Sequence, residues 1–350
     1  MAWGKPEFDS STYNLAGKVL VNGQIDEMDV DTALVVINNW RSSHYHPLNT
    51  FQRRLRLKAN SIDGNSLVAQ RIKRLSSIKH KLERFNTMRL VQIQDIGGCR
   101  AIVSTIEHLE KLVAIMASRD EERSSRGLKH KLTFEKDYIK EPKMSGYRGV
   151  HLVFKYHSDK IKNYEDLKIE IQFRTFLQHA WATAVETAGI FTGQALKSSI
   201  GEKDWLRFFS LASSAMAISE GTALVPETPT SADELRAELR KYYKELDVEG
   251  HLKTYNQAMN ILDLADSPNA HYYLLRLDAE YKTISVQSFK QGQLEKASAV
   301  YLETEKDIAN KNIDAVLVSA DSVAALRKAY PNYFVDTETF LGFLNRLIVD

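Results

Sequence analysis

Residues 136–151 read Lys136-Asp-Tyr-Ile-Lys-Glu-Pro-Lys-Met-Ser-Gly-Tyr-Arg-Gly-Val-His151, and the rest of the chain is arranged around this stretch. Pro142, Gly146 and Gly149 are turn-forming residues, so regular structure is interrupted here. Lysine and arginine on a glycine-containing loop can approach phosphate oxygens closely, and an exposed tyrosine ring can stack on a nucleobase. A solvated basic loop fits the composition equally well, so the flanking segments have to decide.

Downstream, two strands are predicted, and the second has one polar face. Residues 150–156 are rich in β-branched and aromatic side chains, which is typical of a strand. In residues 167–174 apolar and polar side chains alternate, as in a strand with one buried face. The polar face carries four side chains in a row: Lys168, Glu170, Gln172 and Arg174. Such a face indicates the floor of a binding site, with a half-solvated sheet as the alternative.

Upstream, we predict one long helix over residues 64–86. Leu75, Ile78, Leu82 and Phe85 recur at helical spacing and would form its buried stripe. A second helical face would carry residues spaced four apart: Lys73, Ser77 and Lys81. Like charges at this spacing repel one another, so the face suits a bound anion, although a solvated surface helix would show the same pattern.

A carboxylate precedes the next predicted strand. Asp95 is followed by Gly97 and Gly98, and then by the apolar residues 101–103, which we expect to form a buried strand. A carboxylate at a strand edge beside two glycines suits a metal ion with a crowded backbone. Helices over 106–118 and 175–188 are expected to follow and to pack on the sheet.

Three blocks taken in order resemble the synthetase domain of the RelA/SpoT family, the alarmone synthetases. The blocks are Arg71-Ile-Lys73 with Ser77, Lys81 and Arg84; Asp95-Ile-Gly-Gly-Cys-Arg100; and Asp137–His151 with Glu170-Ile-Gln-Phe-Arg-Thr175. The resemblance implies an α/β (α+β) fold, a mixed β-sheet flanked by helices of the nucleotidyltransferase-like kind. It also implies an enzyme that transfers the β,γ-pyrophosphate of ATP to the 3′-OH of a guanine nucleotide, GDP or GTP.

The resemblance further implies a role for each matched residue. Asp95 and Glu170 would hold Mg²⁺, and Glu170 would also help to deprotonate the 3′-OH. The catalytic set would be Asp95, Glu170, Arg71, Lys73 and Lys81. The ATP-binding set would be Arg71, Lys73, Ser77, Lys81 and Arg100. The acceptor-binding set would be Lys136, Lys143, Tyr147, Arg148, His151, Gln172 and Arg174. We expect the Tyr147 ring to be exposed on its turn and to stack on the acceptor base.

The chain departs from the family pattern at the acceptor loop. Gly149 and Val150 stand between Arg148 and His151, where the family usually has a Ser-Leu pair. Two other functions therefore stay open. One is a toxic relative that pyrophosphorylates the 3′ end of tRNA and is restrained by its C-terminal part, in which case Arg123 and Arg126 of the polar loop 119–130 should matter. The other is a catalytically degenerate module that binds nucleotide or RNA.

By composition the chain divides into three parts. Residues 1–222 are the predicted RelA/SpoT-like pyrophosphokinase domain, and residues 223–231, with two prolines and small polar residues, are the linker. Residues 232–350 predict a small helical and α/β domain, whose first helix is capped by Ser231 at the end of the linker. We expect this domain to be regulatory, because it holds no acid–base, metal or phosphate-binding pattern, and a chain ending near Ser219 should keep or gain activity. Further elements are predicted as helices over 24–43, 203–219, 232–246, 250–264, 293–310, 321–329 and 336–347, strands near 129–135 and 315–319, and a hairpin of 271–277 and 281–289.

Composition narrows the setting of the protein. No run of about 18 apolar residues occurs in the 350, so no membrane span is expected, and the first residues lack the apolar core of a signal peptide. The single cysteine, Cys99, cannot form an internal disulfide, and we expect a cytoplasmic protein. The sequence leaves a homo-oligomer open. His44 and His46 form an H-x-H pair with no third metal ligand in view, so a metal site there is not favoured.

Charge is distributed unevenly along the chain. Residues 1–225 carry 33 Lys and Arg against 25 Asp and Glu, whereas residues 226–350 carry 14 against 20. The N-terminal part is therefore the one expected to meet a polyanion. Ordinary scatter of surface charge would give a similar imbalance.

Overall fold

A computed structural model of the chain describes residues 4–26, 28–117, 130–158, 161–192, 196, 202–258, 260–262, 270–278, 280–281, 283–308, 313–320, 326–328, 330, 334 and 337–349. Most of the predicted loop 119–130, with Arg123 and Arg126, and most of the predicted helix 321–329 lie outside these residues. Within them the helices are α1 (Ser10–Asn22), α2 (Val30–Ser43), α3 (Tyr45–Ile62), α4 (Leu75–Arg84), α5 (Ile106–Ala117), α6 (Phe176–Thr192), α7 (Lys203–Glu220), α8 (Ala232–Glu245), α9 (Val248–Ala258), α10 (Leu294–Asp307) and α11 (Glu338–Val349). None of these described helices is long and apolar enough to cross a membrane.

The strands of the described residues form one mixed sheet. They are β1 (Leu67–Ile72), β2 (Gly97–Val103), β3 (Lys131–Asp137), β4 (Val150–Lys155), β5 (Lys168–Thr175), β6 (Asn260–Leu262), β7 (Ala270–Asp278), β8 (Thr283–Lys290) and β9 (Ile313–Ser319). Their order is β3-β4-β5-β2-β1-β9-β7-β8-β6. β2 and β5 are parallel, as are β6 and β8, and the other neighbours are antiparallel. The predicted fold class, a mixed sheet flanked by helices, is confirmed.

The N-terminal and C-terminal parts of the chain share this sheet. β9 pairs with β1, with Gln70 opposite Ser319 and Arg71 opposite Val318. One hydrophobic core also runs through both parts, because Leu48 and Phe51 of α3 belong to the same cluster as Tyr301 of α10. The predicted boundaries at 222 and 231 stay a prediction, but the two parts are not joined by the linker alone.

The two faces of the sheet carry different residues because side chains alternate along each strand. On β2, Cys99, Ala101 and Val103 point into the large core under α3 and α5. Gly98 and Arg100 alternate with them and therefore lie on the opposite face. That second face is the one that carries the polar residues of β5, and α6 packs against it.

The predicted helix over 64–86 is wrong in its first half. Residues 67–72 form strand β1, and only residues 75–84 are helical. The stripe itself is partly correct, since Ile78 and Leu82 are buried, whereas Phe85 is 46% exposed. β1 gains backbone partners on both sides from β2 and β9. The periodic residues begin only at Lys73 and Leu75, so the prediction extended the helix into a segment whose backbone partners lie far away in the chain.

Two other predicted helices begin or end elsewhere. The helix predicted over 24–43 starts at Val30, where Asp29 caps its first turn by accepting a hydrogen bond from Thr32 N. A further helix, α3, follows after His44, and Pro47 is tolerated because it lies in the first turn. The helix predicted over 250–264 ends at Ala258, and residues 260–262 pair with β8 as a strand.

The H-x-H pair has a structural setting. His44 is buried with its Nδ1 2.7 Å from the carbonyl oxygen of Trp40, and His46 stacks on Tyr164 with ring centroids 4.6 Å apart. Across the described part of the chain, no group of three or more His, Cys, Asp or Glu side chains is arranged to hold a metal ion.

Buried histidine predicts a loss of stability in acid. Burial lowers the pKa of His44 to about 4, and burial also lowers the pKa of His130 to about 4. The unfolded chain takes up protons near pH 6.5, before the folded chain does, so the free energy of unfolding should fall as the pH drops through this window. For His44 the loss is about 2 kcal/mol by pH 5. Urea unfolding at pH 7.5 and pH 5 measures it, and His44→Gln should weaken the pH dependence; an unchanged dependence in that variant would contradict the assignment.

Candidate active site

Polar residues of three neighbouring strands converge on one face of the sheet. The register places Arg71 of β1 beside Gly98 of β2, and Gly98 beside Glu170 of β5. Because Gly98 has no side chain and nothing lies within 4 Å of where a Cβ would stand, the position between Arg71 and Glu170 is open. A cavity of about 10 Å³, room for about one water molecule, lies here. Its lining residues are Ala69, Arg71, Asp95, Gly98, Cys99, Arg100, Glu170, Gln172 and Tyr330.

Asp95 lies between two lysines at the acidic end of the cavity. Its Oδ2 accepts a hydrogen bond from Lys73 Nζ at 2.5 Å, and its Oδ1 accepts one from Lys81 Nζ at 2.9 Å. Burial opposes ionisation of this carboxyl, but the two ammonium groups outweigh burial and hold the pKa of Asp95 well below its ordinary value. The structure thus brings together three residues assigned from the sequence, although Lys73 follows a strand and only Lys81 is helical.

Glu170 belongs to a closed ring of hydrogen bonds. His151 Nδ1 lies 2.9 Å from Glu170 Oε1, and Gln172 Nε2 donates to Glu170 Oε2 at 2.7 Å. Arg174 donates to Gln172 at 3.3 Å and to Tyr147 Oη at 2.9 Å, and Tyr147 Oη lies 2.6 Å from His151 Nε2. Five of the assigned residues therefore hold one another in place on the floor of the site.

The charge of this ring is set by His151 and Glu170. Burial opposes the charge on His151, but Tyr147 and Glu170 outweigh it and raise the pKa of His151 to about 9. Burial likewise opposes the charge on Glu170, yet its hydrogen bond to His151 brings the pKa of Glu170 below its ordinary value. At neutral pH the two side chains form an imidazolium–carboxylate pair.

Three arginines, Arg71, Arg100 and Arg174, lie close together on the same face. Burial, together with the neighbouring Arg174 and Arg71, lowers the pKa of Arg100 to about 10, although the carboxylate of Glu186 opposes this shift. Among the described residues, the buried Nε atoms of Arg100 and Arg174 have no hydrogen-bond partner. Buried, mutually repelling cations are unfavourable unless an anion meets them. This cluster therefore fits a polyanionic ligand.

Tyr330, from the C-terminal part of the chain, closes the cavity. Its ring is 4% exposed, and its Oη donates a hydrogen bond to the carbonyl oxygen of Gln70 at 2.7 Å. The Tyr330 side chain lines the cavity together with Arg71 and Arg100. Leu326, Tyr330 and Phe334 pack on the sheet in one cluster with Ala69 and Val318. As it stands, the space beside the two arginines is too small for a nucleotide.

The 136–151 loop depends on glycine at two positions. Gly146 has φ +86°, and a Cβ there would lie 2.8 Å from Trp181 and 3.0 Å from the carbonyl oxygen of Phe209. Gly149 has φ +143°, and a Cβ there would lie 3.0 Å from the carbonyl oxygen of Phe173. Both conformations are ones that L-amino acids rarely adopt. Residues 145–150 are therefore pressed against β5 and α7, whereas Lys140, Glu141, Lys143 and Met144 of the same stretch are exposed.

The predicted exposure of Tyr147 is wrong for this reason. The ring is 5% exposed, with Lys143 Nζ 5.1 Å and Arg174 Cζ 5.1 Å from its centroid. Tyr138 is the more accessible ring of the loop, and Lys143 Nζ lies 4.2 Å from its centroid. The two rings contact each other edge-on, with centroids 5.6 Å apart, and the ammonium group of Lys143 lies to one side of both. Because the Tyr147 ring is buried, an acceptor base cannot stack on it in this conformation.

Arg148 lies apart from the other acceptor-assigned residues. Its guanidinium is buried and donates to Ser213 Oγ at 2.9 Å, to Thr222 Oγ1 at 3.3 Å and to the carbonyl oxygen of Ala223. These contacts anchor the segment after α7 to the loop.

Arg148→Met should therefore lower stability and leave acceptor binding intact. Losing several buried hydrogen bonds costs about 2–4 kcal/mol. The melting temperature and the acceptor KM of the folded protein measure the two effects. A raised acceptor KM with unchanged stability would instead support the role assigned from the sequence.

Two assigned residues lie at the margin of the site. Ser77 is half-buried on α4 and does not line the cavity. Lys136 lies opposite His151 in the strand register, but its ammonium group pairs with Glu141. Both could reach a ligand larger than the present cavity.

Sequence reasoning missed Tyr330 altogether. Its position is set by packing against strands more than 200 residues away in the chain, and no local pattern marks it. The sequence indicates Gly98 only as one of two glycines beside Asp95 that suit a crowded metal site, whereas the structure shows that it leaves the gap between Arg71 and Glu170. Two glycines ahead of a strand were the only signal.

Residues 70–191 match the family described as the region found in RelA and SpoT proteins. The resemblance seen in the motifs is confirmed for this part of the chain. Two proteins of Bacillus subtilis (strain 168) named GTP pyrophosphokinase, YwaC and YjbM, are similar to it. YwaC is 32% identical over 132 residues, which are 35% of this chain and 59% of YwaC. YjbM is 29% identical over 118 residues, 33% of this chain and 52% of YjbM. The chain thus spans little more than half the length of either relative.

Solved structures also show a distant likeness. Small alarmone synthetase 1 from Bacillus subtilis, bound to its product pppGpp, has a TM-score of 0.42 and 22% identity and covers 52% of this chain and 93% of its own. A GTP pyrophosphokinase family protein from Streptococcus pneumoniae has a TM-score of 0.40 and 23% identity and covers 59% and 93%. At these scores the likeness supports no conclusion about this chain.

Proposed function

We propose that the protein is a pyrophosphokinase that transfers the β,γ-pyrophosphate of ATP to the 3′-OH of a guanine nucleotide, GDP or GTP. One observation carries the proposal: within a RelA/SpoT region, one face of the sheet brings two ionised carboxylates, Asp95 and Glu170, into the same cavity as Arg71 and Arg100. Transfer of a highly charged group depends on positioning and charge neutralisation more than on covalent chemistry.

The donor set fits Mg²⁺. Asp95 and Glu170 line one cavity and offer carboxylate oxygens, the ligands that Mg²⁺ prefers. Each carboxylate is now compensated by protein cations, Asp95 by two lysines and Glu170 by His151. Asp95 and Glu170 would hold the ion, which when bound would neutralise charge on the transferred phosphates.

The chain's own residues have distinct tasks in this proposal. Lys73, Lys81 and the arginines of the cavity bind the ATP side and hold its phosphates, because they form the cationic wall. Glu170 is ionised at neutral pH and can accept the proton of the acceptor hydroxyl, although its lowered pKa makes it a modest base. His151, Gln172 and Arg174 orient Glu170 through the ring of hydrogen bonds.

The C-terminal part is proposed to restrain the enzyme. The contact of Tyr330 with the cavity supports this, because the ring takes up space beside Arg71 and Arg100 that a nucleotide would need. An enzyme held closed in this way binds ATP only in the fraction of molecules in which the ring has moved away.

A labelling experiment tests the function and identifies the acceptor. Purified protein is incubated with ATP labelled at the γ-phosphate, Mg²⁺ and, separately, GDP, GTP, ATP and tRNA, in the wild type and in Tyr330→Ala. We expect label in a guanosine tetra- or pentaphosphate. Label on tRNA would replace the acceptor with a polynucleotide, and activity should then fall steeply with salt because more phosphates are contacted. No transfer in either protein to any acceptor would refute the proposal.

A further inference from the structure

Glu305, on α10 of the C-terminal part, reaches the start of the proposed phosphate-binding helix. Glu305 is 8% exposed, and its carboxylate bonds to Arg41 of α2 and to Leu75 of α4. Glu305 Oε1 accepts a hydrogen bond from Leu75 N at 2.7 Å, and Leu75 is the first residue of α4. α4 has no side-chain cap of its own, since Arg74 at its N-cap makes no such bond. A carboxylate from a distant segment therefore caps the helix and meets its positive end.

The other oxygen of Glu305 holds a buried arginine. Glu305 Oε2 accepts from Arg41 Nη1 at 2.7 Å, and Arg41 is 2% exposed. Arg41 Nε in turn donates to the carbonyl oxygen of Lys73 at 3.0 Å. The Arg41–Glu305 pair thus holds the main chain on both sides of Arg74, through one hydrogen bond to the Lys73 carbonyl and one from the Leu75 N–H.

The segment held in this way, residues 73–75, positions the side chains of Lys73 and Lys81. Lys73 N donates to the Ile96 carbonyl at 2.8 Å, and Lys73 Nζ reaches Asp95. Lys81 lies two turns into the capped helix and reaches the same carboxylate. A second contact supports the turn from the same side, because Arg74 pairs with Asp314 of β9.

From this arrangement we infer that Glu305 is a positioning residue of the ATP-phosphate subsite, supplied by the C-terminal part of the chain. The inference rests on the proposed function, because it takes Lys73 and Lys81 to be phosphate ligands. Glu305 does not touch ATP. Through Arg41 and Leu75 it sets where the two lysines stand.

One consequence concerns truncation. A chain ending near Ser219 loses Tyr330 but also loses Glu305 and Tyr301, so Arg41 loses its ion-pair partner and the ring that packs on its guanidinium. It also removes β9, the partner of β1. The C-terminal part therefore both closes the site and supports it. Removing all of it should not reproduce the effect of opening the site.

The test compares three variants in the full chain. Glu305→Gln can keep only one of the two hydrogen bonds, because an amide oxygen accepts but an amide nitrogen does not. Arg41→Met with Glu305→Leu removes the charges together, and such apolar replacements of a buried pair often keep stability. Lys306→Ala is the matched control, since Lys306 joins the same two helices by an exposed ion pair with Asp31.

Two measurements separate positioning from stability and from the proposed function. Without nucleotide, amide hydrogen exchange at residues 73–78 should speed up by about ten-fold or more in Glu305→Gln and in the double variant, but not in Lys306→Ala. With nucleotide, the ATP KM should rise about ten-fold while the acceptor KM changes little, measured also with Tyr330→Ala present so that the site is open.

The double variant decides the matter. If it melts like the wild type yet shows fast exchange and a raised ATP KM, Glu305 positions the subsite. The inference would be overturned if a stable double variant kept the hydrogen-exchange rates and the ATP KM of the wild type. The Arg41–Glu305 pair would then have a purely structural role. A third outcome is that exchange speeds up as expected while neither the wild type nor any variant binds ATP. In that case the hydrogen bonds to residues 73–75 act as inferred, but the subsite assignment and the proposed function are both wrong.

Discussion

Replacing Asp95 with Asn is expected to lower kcat by at least about 100-fold while leaving ATP binding intact or tighter. The carboxylate is held between Lys73 and Lys81 at 2.5 and 2.9 Å, so it is ionised and aimed into the cavity. Asparagine keeps the shape and removes the charge. The two lysines are then free to attract phosphates, but the site has lost one of its two proposed Mg²⁺ ligands.

Steady-state kinetics with varied ATP measures this split between kcat and KM. Glu170→Gln should lose a similar factor in kcat, because it removes the other carboxylate and breaks the pairing with His151. Asp31→Asn is the control, since it removes an exposed carboxylate that also pairs with a lysine. Circular dichroism should show folded protein in all three. Near-normal turnover in either site variant would rule that residue out as a metal ligand.

Replacing Tyr330 with Ala is expected to raise activity at low ATP by about ten-fold to 100-fold, the range for a site that is open in only a few per cent of molecules. The ring fills the space beside Arg71 and Arg100, and the cavity left is about 10 Å³. Truncating the side chain opens that space. The affinity for an ATP analogue, measured by calorimetry, should rise by the same factor as the activity.

Graded variants separate closure from general loosening. Tyr330→Phe removes only the hydrogen bond to the Gln70 carbonyl, so a gain of a few-fold is expected from a bond worth about 1 kcal/mol. Tyr281→Ala is the control, because Tyr281 belongs to the same part of the chain but is 72% exposed and lies away from the site. Lower activity in folded Tyr330→Ala would mean that the ring helps to hold substrate, and the proposed restraint would be wrong.

The sequence by itself indicated the resemblance of residues 70–191 to the RelA/SpoT family and much of the floor of the candidate site. Strand β5 was predictable because apolar and polar side chains alternate along a pleated strand, so Glu170, Gln172 and Arg174 had to share a face. The ordered blocks around Asp95 and His151 added residues that the structure brings close to that face. The face of β5 depends on neighbours in the chain, so local pattern was sufficient for it, whereas the place of Asp95 and His151 was implied by the resemblance to the RelA/SpoT family.

Long-range contacts decided what the sequence could not. The helical pattern that predicts a helix over 64–86 lies in residues 73–85, and residues 67–72 pair with β2 and β9 as a strand. Tyr147 stands on a turn that local chemistry would leave exposed, but packing of the loop against β5 and α7 buries it.

Tyr330 and Glu305 come from a part of the chain with no recognisable chemistry, yet one closes the cavity and the other caps α4. Their roles arise because a residue's burial and its hydrogen-bond partners are set by whichever segments fold against it. That information lies in the tertiary structure.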